Sequence, residues 1–176
     1  MNGGLTVRRA CAADVARLAE VHVRCWQETY RGMLSDQFLS AVDPAGRLAL
    51  WQELLARPEP AEAWVACDSD LLVGFAGTRW GPAPGSPAGH PPPSSGDLEL
   101  WGLYLLESHQ GLGLGGRLLD HALGTSAASL WVAANNHRAL DFYRRFGFEP
   151  DGAEDRIPDW ENLPIIRLVR PAQPGS

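Results

Sequence analysis

The residues best suited to chemistry begin at Gln110-Gly111-Leu112-Gly113-Leu114-Gly115-Gly116, which runs directly into Arg117-Leu118-Leu119-Asp120-His121-Ala122-Leu123. A strand-like stretch, Leu98 to Leu105, comes just before. A strand therefore feeds a turn with little side chain, and the turn opens a helix. The first amides of a helix have no internal partner, and that end carries roughly half a positive charge. Glycines there let a ligand approach the backbone closely. The combination suits phosphate oxygens; the alternative is a tight turn and nothing more. A Walker loop needs Lys and then Ser or Thr after its last glycine, whereas Gly115 is followed by Gly116 and Arg117, which argues against an NTPase. Gly111-Leu112-Gly113 with Gly116 fits G-x-G-x-x-G. However, the strand-like Leu130-Trp131-Val132 leads to Asn135-Asn136, without the acidic residue that a dinucleotide fold places after about 20 residues. A nicotinamide-dependent reductase stays as an alternative.

Two signatures point elsewhere. Gln110-x-x-Gly113-x-Gly115 resembles the acetyl-CoA loop of the GNAT N-acetyltransferases. Downstream, Asn136, Ala139, Phe142, Tyr143, Gly147 and Phe148 match that superfamily's N-x-x-A-x-x-F-Y-x-x-x-G-F pattern in order and spacing. Glu99-Leu-Trp-Gly-Leu-Tyr-Leu105 looks like its central strand. The resemblance is specific over Asp97 to Gly152 and diffuse from Leu5 to Arg79. It implies a single α/β (α+β) domain, with a mixed, mostly antiparallel central sheet flanked by helices and splayed central strands. It also implies acetyl transfer from acetyl-CoA to a primary amine of a small molecule or peptide, by direct attack in a ternary complex without a metal. The backbone of Leu103 and Leu105 would pair with the pantetheine arm. The amides of Gly111, Leu112, Gly113, Leu114, Gly115 and Gly116 would hold the pyrophosphate, with Gln110 shaping the turn. At Gly113 and Gly115 a Cβ is expected to obstruct the phosphates. Asn136 would meet the pantetheine as well as cap a helix.

Tyr143 matches the family tyrosine that points at the thioester sulfur, so it is the expected acid. Leu140, Tyr143 and Phe146 also share helical spacing, which is the pattern of a core face. Glu99 is the acidic residue of the predicted central strand and the expected base; the alternatives are an edge glutamate facing solvent, or water in that role. Some relatives carry a glutamate five residues before the asparagine, and here that position is Trp131. Trp26 and Tyr30 fall in the acceptor-facing part of the fold, where an aromatic wall can stack on an acceptor. A helix end packed on the core is the other reading of Trp26. A catalytically idle CoA-binding or sensor domain is the rival from another class.

These groups must be carried by one ordinary domain. The chain has 176 residues, 45% hydrophobic and 20% charged, which fits a folded globular unit. A net charge of −6 argues against nucleic acid, and no apolar run reaches the length of a membrane span. It also leaves CoA to be held by local amides and dipoles against the overall field, while a cationic amine would be attracted. Met1-Asn2-Gly3-Gly4 lacks the basic and apolar regions of a secretory signal, and three widely spaced cysteines, Cys11, Cys25 and Cys67, suit a reducing cytoplasm. The expected partner is a small-molecule amine or peptide N-terminus; a homodimer stays open. Strands are expected at Leu5–Arg9, in a hairpin from Trp64 to Thr78, and at 97–105, 129–133, 148–155 and 165–170. Helices are expected after Asp14, at Ser35-Asp36, after Pro44, from Gly113 and from Asn136. Segment 80–96, rich in Pro and Gly, is expected to be a mobile loop, and 171–176 a disordered tail.

Overall fold

One strand pair decides the architecture. The seven strands of the sheet are β1 (Leu5–Arg9), β2 (Ala61–Asp68), β3 (Leu71–Trp80), β4 (Leu98–Leu105), β5 (Ala128–Ala133), β6 (Glu149–Ile157) and β7 (Leu163–Arg170). Their order in space is β1-β2-β3-β4-β5-β7-β6. Every neighbouring pair is antiparallel except β4–β5, which is parallel. That pair is joined only at Leu98↔Ala128 and Glu99↔Ser129 and then parts. The structure, a computed structural model, describes residues 4–56, 61–81, 87 and 98–174. Most of the expected 80–96 loop, together with Asp97, lies outside the described residues.

Among the described residues five α-helices accompany the sheet: α1 (Val15–Thr29), α2 (Asp36–Ser40), α3 (Pro44–Ala56), α4 (Leu114–Leu123) and α5 (His137–Arg145). In α1 the buried residues Leu18, Ala19, His22, Val23, Cys25 and Trp26 recur at helical spacing. With α3 they cover one sheet face, where Leu18, Trp51, Val65, Leu72 and Phe75 pack together. On the opposite face α4 and α5 bury Leu114, Leu118, Leu119, Tyr143 and Phe148 against Leu100 and Leu105. A third cluster, Trp26, Tyr30, Leu34, Leu39, Ala133, Leu163 and Ile165, joins the end of α1 to β5 and β7. Among the described residues no helix is long and apolar enough to cross a membrane.

β4 contains a bulge. Gly77 pairs with Gly102 and the next residue, Thr78, with Leu100, so Trp101 is one residue too many for β3. Its indole lies against Gly77, where a Cβ would collide with it. The bulge shifts the strand's alternation. Leu103 therefore shares the α4 face with Leu100 and Leu105, while Trp101 packs against Trp51 on the α3 face, ring centroids 5.6 Å apart.

Three local expectations change. Asp14 stands at the start of α1 without a side-chain cap to the helix. Its carboxylate is taken by Arg8, at 2.7 and 2.8 Å, and by the Cys11 amide at 2.9 Å. The strands at 148–155 and 165–170 are longer and begin elsewhere, at Glu149 and Leu163. The tail begins tied down, because the Gln173 amide donates to the Thr125 carbonyl at 2.8 Å.

Candidate active site

The parting of β4 from β5 opens a cleft of about 750 Å³. Its walls are Leu100 to Leu105 of β4, Trp131 to Ala133 of β5, the start of α4, the inner face of α5, and Glu28 to Tyr30 at the end of α1. Leu103 and Leu105 lie on this wall, and β5 does not pair with them.

A short 3₁₀ turn, Glu107–His109, leads from β4 into the glycine loop. Gln110 braces that turn: its Nε2 donates to the Leu105 carbonyl at 2.8 Å. Its Oε1 is buried and, among the described residues, has no partner. Such an acceptor is costly to leave unmet, and a ligand N–H in the cleft would satisfy it. Gly111 and Gly113 have φ of +79° and +81°, a conformation that side chains resist. The first helical bond of α4 is Arg117 N to Gly113 O at 3.2 Å, which leaves the amides of Leu114, Gly115 and Gly116 without a carbonyl one turn back. Gly111, Gly113, Gly115 and Gly116 all line the cleft. Leu112 turns its side chain to solvent and Leu114 is fully buried, so each offers the loop only its backbone.

Gly115 differs from expectation in its surroundings. A Cβ there would come within 3.1 Å of the Phe142 ring, and one at Gly116 within 2.8 Å of Phe146. Close packing of α4 on α5 therefore already requires small residues at both positions. Arg138 and Arg145 of α5 line the same region. Sequence reasoning missed them, although they occupy variable positions of the Asn136-to-Phe148 pattern. They place positive charge on the wall of a cleft in an acidic protein.

Asn136 opens α5, its Oδ1 accepting from the Ala139 amide at 3.1 Å while it lines the cleft. Tyr143 lines the cleft as well, although only 7% exposed. It packs edge-on against Phe142 and Phe148, at 5.2 and 5.6 Å between centroids. Burial pushes its phenol above the usual tyrosine range, so the group stays protonated. Tyr143 is thus both a core residue and a lining residue of the cleft.

On the opposite wall the Tyr30 and Tyr104 hydroxyls lie 3.0 Å apart. Burial raises both phenols. Tyr104 was not anticipated, because the bulge changes which β4 residues face this wall. Trp26 does not reach the cleft. It is 3% exposed and packs on Tyr30, 5.0 Å between centroids, with Trp160 against both rings at 4.3 and 5.8 Å. Glu99 is also set back. It is buried at the closed end of the cleft, where β4 is still paired to Arg79 of β3 and Ser129 of β5, and it is not among the lining residues. The carboxylates on the wall, among the described residues, are Glu28 and Glu107. Glu28 accepts from Arg24 Nε at 3.0 Å and from the Glu107 amide at 2.7 Å, tying α1 to the turn that leads into the glycine loop.

The family model described as Acetyltransferase (GNAT) family matches residues 18–148. A probable N-acetyltransferase of Mycobacterium tuberculosis is 30% identical over 186 residues, covering 97% of each chain. An uncharacterised N-acetyltransferase of Bacillus subtilis is 29% identical over 152 residues, covering 82% of this chain and 80% of that one. In fold, the chain is similar to a Corynebacterium glutamicum protein described as histone acetyltransferase HPA2 and related acetyltransferase, with a TM-score of 0.68, 24% identity and 98% of each chain covered. It is also similar to the PaiA N-acetyltransferase of Thermoplasma acidophilum, solved with coenzyme A, with a TM-score of 0.66, 18% identity, and 93% of this chain and 98% of that one covered. With a family match across most of its length and a relative at this identity, the chain belongs to the GNAT acetyltransferase family.

Proposed function

We propose that this protein transfers an acetyl group from acetyl-CoA to a primary amine of a small molecule or peptide, by direct attack within the cleft, in the cytoplasm. The observation that carries the reading is the parting of β4 and β5 after Glu99 and Ser129, which leaves a strand edge running into a loop of partnerless amides. An amide-bearing arm can add to that edge as a strand would. Leu103 and Leu105 would offer it their backbone, and the orphaned Gln110 Oε1 would accept one N–H. The amides from Gly111 to Gly116 would hold the pyrophosphate, helped by Arg138 and Arg145. At the bulge Trp101 has no partner in β3 and lies beyond the last β5 pair. A backbone donor fixed there would polarise a carbonyl at the closed end of the cleft.

Tyr143 would face the departing thiolate. A thiol has a pKa near 8.5 and a free phenol one near 10, and burial widens that gap. Tyr143 therefore stabilises the thiolate by donating a hydrogen bond, and complete proton transfer to it is uphill. Glu99 would take the amine proton through water, because its carboxyl lies behind the wall. The test is calorimetry with CoA and with NADH, followed by thiol release from acetyl-CoA across an amine panel. The reading expects CoA binding, no NADH binding and turnover with at least one amine. CoA binding without turnover on any amine would favour an idle CoA sensor.

A further inference from the structure

Glu28 is a carboxylate in a place that local physics disfavours. It stands in the last turn of α1, where the helix dipole favours cations. It also lines a cleft whose glycine loop suits phosphate. Its side chain is only 14% exposed, so the charge is largely withdrawn from water, which is costly without partners. A local rule broken in this way calls for a compensating contact. Two are present among the described residues. Oε1 accepts from Arg24 Nε at 3.0 Å, one turn back in the same helix. Arg24 is itself mostly exposed, and such a pair contributes little. Oε2 accepts from the Glu107 amide at 2.7 Å, across 79 residues of chain.

That second contact reaches a turn that needs it. Glu107 is the first residue of the 3₁₀ turn leading into the glycine loop, and Leu106 before it gives no side-chain cap. Its amide would otherwise be one of the unpaired donors that begin a helical turn. Glu28 caps it from another element, and a carboxylate on a backbone N–H makes one of the stronger hydrogen bonds. Other bonds around the turn run to the sheet: the Leu106 amide donates to the Val73 carbonyl at 2.9 Å, and Gln110 donates to that of Leu105. Glu28 ties the turn instead to α1. The next two residues, Thr29 and Tyr30, line the cleft, and the Tyr30 hydroxyl meets that of Tyr104.

We propose that Glu28 is a positioning residue: its carboxylate holds the Glu107 turn, and through it the glycine loop, fixed against the cleft wall at Tyr30. A brace and a bare wall charge differ in sign. A carboxylate that merely lined the cleft would repel an anionic ligand, so its removal would tighten binding; removal of a brace loosens it. The inference rests on the loop binding CoA, so amide hydrogen exchange without ligand accompanies calorimetry with CoA. Glu28→Ala removes the carboxylate, and Glu28→Asp keeps the charge but loses the reach. In both, the Glu107 amide should exchange faster and CoA affinity should fall about tenfold. Glu28→Gln, whose carbonyl still accepts from the amide, should recover affinity to within about threefold of wild type. Should Glu28→Ala not fold, Glu28→Asp and Glu28→Gln decide. CoA binding unchanged or tighter in Glu28→Asp and Glu28→Ala, unchanged exchange at Glu107, or a Glu28→Gln no better than Glu28→Asp overturns the inference. Faster exchange in the variants of a protein that fails to bind CoA even as wild type would count against the CoA reading and leave the brace standing.

Discussion

The hydroxyl of Tyr30, just past the end of α1, lies 3.0 Å from that of Tyr104 on β4. The contact closes one wall of the cleft across 74 residues of chain and joins the α1 end to the central strand. Removing either hydroxyl deprives the other of this partner, and removing that of Tyr104 also takes an acceptor from Trp26. Tyr30→Phe and Tyr104→Phe should each lower stability by about 1–2 kcal/mol, and the double variant should lose less than the sum. Urea melts of the four proteins give the coupling; strict additivity would mean the two hydroxyls do not depend on each other.

Gly113 tests the cofactor loop. Its φ of +81° disfavours a side chain, while a Cβ would meet nothing within 4 Å. Gly113→Val should therefore strain the turn by about 1–2 kcal/mol without crowding the core, and displace the amides that begin α4. CoA affinity should fall at least tenfold while the circular dichroism spectrum is kept. Wild-type affinity in this variant would remove the loop from the binding site. Gly115 is a poorer probe, because Phe142 lies where its side chain would go.

The glycine loop and the Asn136-to-Phe148 pattern were legible because each is local: turn, cap and helix face are set by residues within a few positions of one another. Tyr104 was hidden for the opposite reason. Strict alternation along β4 groups Trp101 with Leu103 and Leu105, but the bulge sends Trp101 to the α3 face and leaves Leu103 and Leu105 with Leu100. Trp26 and Tyr30 sit four residues apart, so helical spacing gives them one face; only the tertiary packing leaves Tyr30 on the cleft wall and Trp26 off it. The bond from the Glu107 amide to Glu28 spans 79 residues and leaves no trace in spacing.

Stability should fall in mild acid because of His22. Burial, with a smaller contribution from the Arg47 charge, lowers its pKa from 6.5 to about 3, and Trp51 Nε1 donates to its Nδ1 at 3.2 Å. Between those values the unfolded chain binds a proton that the folded chain refuses. Stability is thus complete above pH 6.5 and declines as pH drops, by at most about 1.4 kcal/mol per unit. Asp14, lowered from 3.8 to about 2 chiefly by Arg8, loses its contribution as pH falls through that lower window, which overlaps only the acid end of the His22 range. His22→Asn, which can still accept from Trp51, should flatten the melting temperature between pH 6.5 and 4.5 relative to wild type. An equal decline in both proteins would place the acid sensitivity elsewhere.

For Glu99 the expectation is kinetic. Replacement by Gln keeps the shape of the side chain and removes its ability to take a proton. Glu99→Gln should lower turnover on the order of a hundredfold and abolish the acidic limb of the pH–rate profile. If both are unchanged, the proton leaves by water alone or through Glu28, which is on the wall.

Tyr143 separates core from chemistry most sharply. Its ring packs on Phe142 and Phe148 while the residue lines the cleft, and the proposed role rests on its hydroxyl alone. Tyr143→Phe keeps the ring and its contacts. It should lower kcat by about ten- to a hundredfold, the loss of one hydrogen bond to a charged leaving group, roughly 1.5–3 kcal/mol. The KM for acetyl-CoA and the melting temperature should barely move. Because burial holds the phenol above its usual pKa, the alkaline limb of the wild-type profile should not arise from Tyr143 below pH 10. An early melt with full specific activity would make Tyr143 a packing residue and end its assignment as the donor.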